Sequence, residues 1–153
     1  MVLLAAIRVR GRVKTRKELE YTMSLLRLNR VNHLVLVGEK MLPMLKKTES
    51  FITFGKINAQ TLGRMLEKRA RLHGDKRLSE ELLKKNKIKS FTELAEKVLD
   101  NKVSLQTIGI KPVFRLNSPK KGHARGGKKK PFASGGALGD RADDVNELIE
   151  RMM

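Results

Sequence analysis

Residues 4–11 read LAAIRVRG, and the predicted architecture grows from this segment. Its apolar start and the alternation from Ile7 to Arg10 predict a strand whose last residues emerge to solvent on one face, and Gly11 ends it. Residues 33–38 read HLVLVG. This short branched-apolar run predicts a second strand, which is buried on both faces or nearly so.

Helices are predicted next to these strands. Residues 15–18 read TRKE, the form of a capping box, and they predict a helix that runs to about Leu28. Pro43 suits the first turn of a short second helix, because a missing N–H is tolerated there. Residues 51–54, FITF, predict a third strand. The order strand, helix, strand, helix, strand in residues 1–57 predicts an α+β unit with a small three-stranded sheet and both helices on one face.

Residues 58–110 are predicted to form a helical extension of this unit. Asn58 is a candidate helix cap, and Gly74 is the expected end of that helix. The inner face of the helix has the apolar stripe Leu62, Met65, Leu66 and Leu72. Two shorter helices are expected from Glu80 to Lys85 and from Phe91 to Leu99, the latter behind a second capping box.

Residues 111–139 form the most basic segment and are called the basic extension below. They contain no Asp or Glu, and their eight cations are Lys111, Arg115, Lys120, Lys121, Arg125, Lys128, Lys129 and Lys130. Residues 113–116 predict a brief strand that joins the sheet edge. The glycines and prolines oppose regular structure, so the extension is expected to be disordered alone and to order along a polymer of phosphates. Residues 140–153 predict a last helix that Asp140 caps.

The composition favours a nucleic-acid partner. The 153-residue chain has a net charge of +18 and a pI near 10.6, which indicates a polyanion. A membrane surface is disfavoured, since aromatic residues make up 4% of the chain and Trp is absent. The chain has no cysteine and its opening apolar run is short, which predicts a cytosolic protein without disulfides, signal peptide or membrane span.

The candidate nucleic-acid contacts fall into three groups. The densest lies in the basic extension, where His123 is expected to stack on a base or contact a phosphate. Another surrounds the exit of the first strand. The third is a helical stripe, which fits either phosphate contacts or an ordinary solvated helix face. The candidates are Arg8, Arg10, Arg12, Arg16, Arg64, Lys68, Arg71, Arg115, Lys120, Lys121, His123, Arg125, Lys128, Lys129 and Lys130.

Other functions have weaker signals. Residues 122–128 fit part of a phosphate-cradling loop, as in a nucleotide hydrolase, but Lys129 stands where Ser or Thr should hold Mg²⁺ and Pro131 blocks the following helix. A free-standing nucleic-acid compaction protein is a further alternative. Phe51 and Phe54 are candidates for base stacking or for core packing. Catalytic residues, a small-molecule substrate, a cofactor and a metal site are not predicted, because no catalytic constellation stands out and the three histidines are far apart.

The sequence resembles the large-subunit ribosomal protein thirty family, called protein seven in eukaryotes. Residues 1–57 are similar to its short bacterial members. The longer archaeal and eukaryotic members are similar to three further segments, which read FGKI at residues 54–57, RLNSPKKG at 115–122 and GGALGDR at 135–141. The archaeal form fits best, because eukaryotic members carry a long basic N-terminal extension.

The resemblance implies a non-enzymatic, structural protein of the large ribosomal subunit that binds its rRNA and supports assembly and translation. It also implies a three-stranded sheet with a helical insertion, neighbouring ribosomal proteins as partners and a position near the 5S rRNA. The expected location is the cytoplasm, within the ribosome.

Overall fold

The computed structural model describes residues 2–79, 83, 88 and 90–153. This part of the chain is α+β. The strands are β1 (Leu3–Arg8), β2 (His33–Gly38), β3 (Ile52–Lys56), β4 (Val113–Arg115) and β5 (Gly139–Asp140). The α-helices are α1 (Lys17–Leu25), α2 (Leu42–Lys47), α3 (Ala59–Arg69), α4 (Phe91–Leu99) and α5 (Val145–Met152). Short 3-10 helices occupy Glu39–Met41, His73–Asp75, Phe132–Ser134 and Ala142–Asp144.

The strands form one mixed sheet in the order β4-β2-β1-β3-β5. β1 is central and antiparallel to both neighbours, with Ala6 opposite Val35 on β2 and Phe54 on β3. β4 pairs antiparallel with β2, as predicted for the brief strand. β5 pairs parallel with β3. The three-stranded sheet predicted for residues 1–57 is therefore extended to five strands, by the predicted brief strand β4 at one edge and by β5, which was not predicted, at the other.

Both faces of the sheet are covered. Leu4 and Ala6 of β1 pack with Met23 of α1 and Leu45 of α2, so these two helices share one face as predicted. Ala5 and Ile7 point to the other face, where they meet apolar residues of α3, α4 and α5. A strand with two buried faces has no reason to alternate, which explains the uninterrupted apolar run at the start of β1.

Helix ends follow the predicted caps in part. Asn58 caps α3 by accepting a hydrogen bond from the Thr61 N–H at 2.7 Å, and Ser90 caps α4 through the Glu93 N–H at 3.1 Å. The prediction of a capping box before α1 is wrong, because Arg16 is the N-cap and its side chain makes no capping hydrogen bond. Thr15 instead directs its hydroxyl to the Gly11 carbonyl at 3.4 Å.

Two other helix predictions need correction. α3 ends at Arg69, and its C-cap Ala70 is already extended, so Gly74 does not end it. Asp140 accepts a hydrogen bond from the Ala142 N–H at 2.8 Å. Because Ala142 begins the 3-10 helix that precedes α5, the Asp140 side chain bonds to the start of that short helix and does not cap α5 itself. Of the helix predicted from Glu80 to Lys85, only Leu83 lies within the described residues, and it is buried. In the described part of the chain, no helix is long and apolar enough to cross a membrane.

Gly55 on β3 is a point of close approach between the sheet and the start of α5. A Cβ at this position would lie 2.1 Å from the Ala142 carbonyl oxygen and 3.0 Å from Cγ1 of Val145. Both neighbours belong to packed structure, and the carbonyl is backbone that cannot rotate away.

We expect Gly55→Ala to lower the free energy of unfolding by about 1–3 kcal/mol, because the new methyl group overpacks the contact between β3 and α5. Urea denaturation followed by circular dichroism measures this change. Gly11→Ala is the matched control, since nothing lies within 4 Å of a Cβ there. Equal stability of the two variants would contradict the proposed close packing.

Candidate nucleic-acid interface

Most of the predicted contacts gather at one end of the sheet, where β1 and β4 finish and β2, β3 and β5 begin. We call this the basic end. Arg115 at the end of β4 lies opposite His33 at the start of β2. Arg10, Arg12 and Arg16 follow β1, and the basic extension leaves β4 at this end and returns to it at β5.

The basic extension is a folded loop in this structure. Its two limbs are joined by backbone hydrogen bonds from Gly126 N–H to the Gly135 carbonyl at 2.9 Å and from Ala137 N–H to the Lys130 carbonyl at 3.0 Å. Gly136 passes so close to Lys130 that a Cβ would lie 2.1 Å from its carbonyl oxygen. Glycine is therefore needed at Gly136 for close approach of the backbones.

Arg141 anchors this loop to the sheet. Its side chain is buried, and its Nη2 donates to the carbonyls of His123 at 3.1 Å and Ala137 at 3.2 Å. Its Nε donates to the Thr53 hydroxyl on β3 at 3.0 Å, and its Cζ lies 4.7 Å from the centroid of the Phe132 ring. Burial lowers the pKa of Arg141 from its ordinary value. Such a buried cation is retained only where hydrogen bonds satisfy it, so the loop and the sheet hold each other through this residue.

Two further contacts bring the extension against the other groups. Val9, just after β1, is buried with Ala137 and Leu138, which places the exit of β1 beside the returning limb. The first residues of the extension meet the carboxyl end of α5, where Asn117 N–H donates to the Met152 carbonyl and Lys120 N–H to the Arg151 carbonyl, both at 3.0 Å. These bonds satisfy carbonyls that a helix end leaves without intrahelical partners.

Most of the predicted contact residues are accessible. The exposed side chains at the basic end are Arg12, Arg16, Arg115, Lys120, Lys121, Arg125, Lys128, Lys129 and Lys130. Arg12 is partly engaged, since its Nε lies 2.9 Å from Oε1 of Glu20. Arg10 is half-buried, with its Cζ 4.8 Å from the centroid of the Phe51 ring. The structure thus gathers two of the predicted groups into one cationic surface.

Arg8 does not fit the role predicted for it. Its side chain is fully buried, its Nη1 donates to the Leu28 carbonyl at 2.8 Å, and its Nη2 forms an ion pair with Glu20 at 3.1 Å. Its charge is therefore satisfied inside the protein. Arg8 joins β1 to α1 instead of contacting a phosphate.

His123 also departs from its predicted role. The residue is 4% exposed, so its ring is not placed to stack on a base. Burial first, and then the charges of Lys128, Arg141 and Arg151 in that order of importance, together lower the pKa of His123 to about 4. The imidazole is therefore neutral at pH 7 and supports the loop from within.

Phe51 and Phe54 were candidates for base stacking or for core packing. Both are buried, so they pack in the core.

The predicted helical stripe is divided. Arg64 is exposed on α3 but pairs with Glu150 of α5 at 2.7 Å, and Lys68 is exposed nearer the end of the same helix. Arg71 follows the end of α3 and forms a β-bridge with Arg77. The three cations are thus not one helical face, because the helix ends before Arg71.

Arg71 instead lines a second basic feature, a cavity of about 240 Å³ between β4 and the segment after α3. Arg27, Lys111 and Arg115 also line it, together with Asp75. Asp75 pairs with Lys111 and lies 3.5 Å from Arg115, and its pKa is lowered by the Lys111 hydrogen bond and then by the nearby positive charges. Four cations against one carboxylate leave this cavity suited to an anion.

Sequence reasoning missed Arg27 and Arg141. Arg27 stands in the turn after α1 with a positive φ of 60°, and no sequence periodicity marks it. Arg141 lies in the segment GGALGDR, but nothing in that segment distinguishes a buried arginine from an exposed one.

The loop that resembles part of a nucleotide site is internally engaged. The Gly126 N–H donates to Gly135 and the Gly127 N–H donates to the Ala124 carbonyl at 3.1 Å. The element that follows is the three-residue 3-10 helix Phe132–Ser134, which offers no helix N-terminus of the required length. Among the described residues, no group of three or more His, Cys, Asp or Glu side chains could hold a metal ion.

We expect Arg141→Met to loosen the basic extension while leaving the inner strands β1, β2 and β3 intact, because it removes the buried donors that serve Thr53, His123 and Ala137. Amide hydrogen exchange at Gly126 and Ala137 should accelerate by about tenfold or more, given about 1.5–3 kcal/mol for hydrogen bonds to a charged group. Arg125→Met, an exposed arginine of the same loop, is the control. Equal protection of the loop in both variants would contradict the anchoring role.

The low pKa of His123 predicts a dependence of stability on pH. The His123 ring takes up a proton near pH 6.5 in the unfolded chain but only near pH 4 in the folded one. The contribution of the neutral ring to the free energy of unfolding is therefore fully present above pH 6.5 and is lost as the pH falls toward 4. The loss approaches about 3 kcal/mol at 1.36 kcal/mol per pKa unit. Urea denaturation between pH 7 and 4 should show a smaller loss for His123→Gln, whereas His73→Gln at an exposed site should behave as wild type. Matching pH profiles for all three proteins would refute this assignment.

The chain is similar over nearly its whole length to large-subunit ribosomal proteins of archaea. No protein-family model matches the chain. The large ribosomal subunit protein uL30 of Methanococcus vannielii is 48% identical over 151 residues, covering 97% of this chain and 98% of the relative. The uL30 proteins of Methanococcus maripaludis strain S2 and of Nanoarchaeum equitans are 46% and 44% identical, and the latter alignment covers 99% of each chain. At this identity over nearly the full length, the chain belongs to the uL30 family of large ribosomal subunit proteins.

Proposed function

We propose that this protein is a structural constituent of the large ribosomal subunit and that it binds rRNA through the basic end of its sheet. The observation that supports this most is the group of six exposed cations from Lys120 to Lys130 on a loop that the protein itself anchors. It then works in the cytoplasm as part of the ribosome and supports subunit assembly and translation.

The chemistry of this surface favours contacts to the RNA backbone. Among the described residues, no ion pair involves any of the six cations Lys120, Lys121, Arg125, Lys128, Lys129 and Lys130. A phosphate that meets these side chains therefore displaces only counterions, and the release of those counterions drives binding. Arg10, Arg12, Arg16 and Arg115 extend the same surface. The Arg71 cavity and Lys68 provide a second set of phosphate contacts.

Neighbouring ribosomal proteins are the expected protein partners. Tyr21 and Leu25 lie one turn apart on α1 and are 67% and 56% exposed, so α1 presents apolar surface on the side away from the sheet. A position near the 5S rRNA rests on the family resemblance alone. We assign no catalytic role, since the loop from Gly122 to Lys128 uses its backbone donors internally.

Replacing Lys128, Lys129 and Lys130 with alanine should weaken RNA binding and flatten its dependence on salt. Each lost phosphate contact lowers the slope of log K against log salt by about 0.7–0.9, so the slope should fall by about 2. Fluorescence anisotropy with large-subunit rRNA fragments at several salt concentrations measures it.

The matched control is Lys40→Ala, Lys56→Ala and Lys102→Ala combined. It removes the same charge from exposed lysines away from the basic end, two of which, Lys40 and Lys56, lie at the opposite end of the sheet. A similar loss of slope in both triple variants would show that only net charge matters and would overturn the assignment of the interface.

Sedimentation of a lysate in high salt separates this function from its alternatives. A subunit constituent should remain with the large subunit, whereas a compaction protein should dissociate and follow DNA. Saturable hydrolysis of ATP or GTP that Lys128→Ala abolishes would support the hydrolase instead.

A further inference from the structure

A cavity of about 400 Å³ opens between the basic extension and the turn from α2 to β3. Its walls combine apolar groups, one cation and two carboxylates. The residues that matter for its chemistry are Glu49, Lys129, Pro131, Phe132, Leu138 and Asp140. The cavity lies beside the cationic surface but is distinct from it in composition.

The Phe132 ring gives the cavity a rigid aromatic wall. Arg141, which does not line the cavity, holds this ring from the interior at 4.7 Å. Pro131 and Leu138, which form a parallel β-bridge with each other, add apolar surface to the lining. An aromatic ring fixed next to a cationic track is the arrangement on which unstacked bases of single-stranded RNA bind.

The carboxylates restrict what can enter. Glu49 and Asp140 would repel a phosphate, so this cavity is not another backbone contact. Carboxylates instead accept hydrogen bonds from the exocyclic amino groups of bases. Asp140 Oδ1 already accepts from the Ala142 N–H at 2.8 Å, which fixes the orientation of this carboxylate. Lys129 also lines the cavity and supplies its cation, a partner for the phosphate of the same nucleotide.

We propose that this cavity receives one unstacked RNA base that carries an exocyclic amino group, with its ring against Phe132 and its amino group on Glu49 and Asp140. The inference rests on the proposed function, since it presupposes a bound RNA. It adds base selectivity to an interface that otherwise reads only the RNA backbone. Uracil is disfavoured, because its N–H lies between two carbonyl oxygens that the carboxylates repel.

Four seven-nucleotide RNAs test the proposal, each a uridine chain with A, C, G or U at the central position. We expect at least one of the A, C and G probes to bind about tenfold more tightly than all-uridine RNA, which corresponds to about 1.4 kcal/mol. Anisotropy of a fluorescent label gives the affinities. Nuclear magnetic resonance of the Phe132 ring protons locates the base, because stacking shifts these signals.

Variants of the full chain distinguish base binding in the cavity from the general electrostatic attraction between the protein and RNA. Glu49→Ala and Glu67→Ala remove the same charge, and Glu67 is an exposed residue of α3. Both should raise the affinity for all-uridine RNA slightly, but only Glu49→Ala should lower the affinity for the preferred probe and so abolish the preference among bases. Ala133→Trp, which adds a large ring to a residue of the cavity lining, should abolish it as well.

Equal binding of all four probes, or a preference that survives Glu49→Ala and Ala133→Trp, would overturn the base pocket. Salt-dependent binding that persists in that case would leave the proposed function standing. Failure of all probes and of rRNA fragments to bind would overturn both.

Discussion

A buried guanidinium has to be hydrogen-bonded wherever it lies, and in this protein that requirement on Arg141 joins three separate segments of chain. Its donors are satisfied by Thr53 on β3 and by the carbonyls of His123 and Ala137 on the two limbs of the basic extension. Thr53 in turn donates its hydroxyl to the Gly139 carbonyl at 3.0 Å. The short parallel strand β5 is therefore held by side-chain hydrogen bonds as well as by its backbone pairing with β3.

This anchoring changes what the basic extension can do for RNA binding. A disordered tract would lose its conformational freedom when it binds, and that loss subtracts from affinity. The anchored loop already has a defined path in this structure, with its cations outward and the neutral His123 inside. We propose that RNA binding to a loop with this path costs less conformational entropy than binding to a disordered tract, so more of the electrostatic attraction appears as affinity.

The inner three strands and the exposed basic residues of the loop could be predicted from the sequence. β1, β2 and β3 have strong apolar patterns, and Asn58 and Ser90 are local caps that act within three residues. β5 escaped prediction because Gly139 and Asp140 have no strand pattern. Their position depends on the bond between Arg141 and Thr53, two residues that lie 88 positions apart in the sequence. Arg8 escaped for a similar reason: the alternation after Ile7 indicates exposure, but Glu20 and the Leu28 carbonyl, contributed by the α1 region, cover its charge.

The number of basic residues therefore overstates the number of phosphate contacts. Arg8 and Arg141 donate their hydrogen bonds to groups inside the protein. Arg64 must share or break its ion pair with Glu150 before it can bind a phosphate. The cations from Lys120 to Lys130 form no ion pair within the described part of the chain, so they are not held by a carboxylate in this way. Their mutual repulsion also makes the free protein less stable than the bound one. Binding of a polyanion relieves that repulsion, so the same charges that favour the complex weaken the loop when no RNA is present.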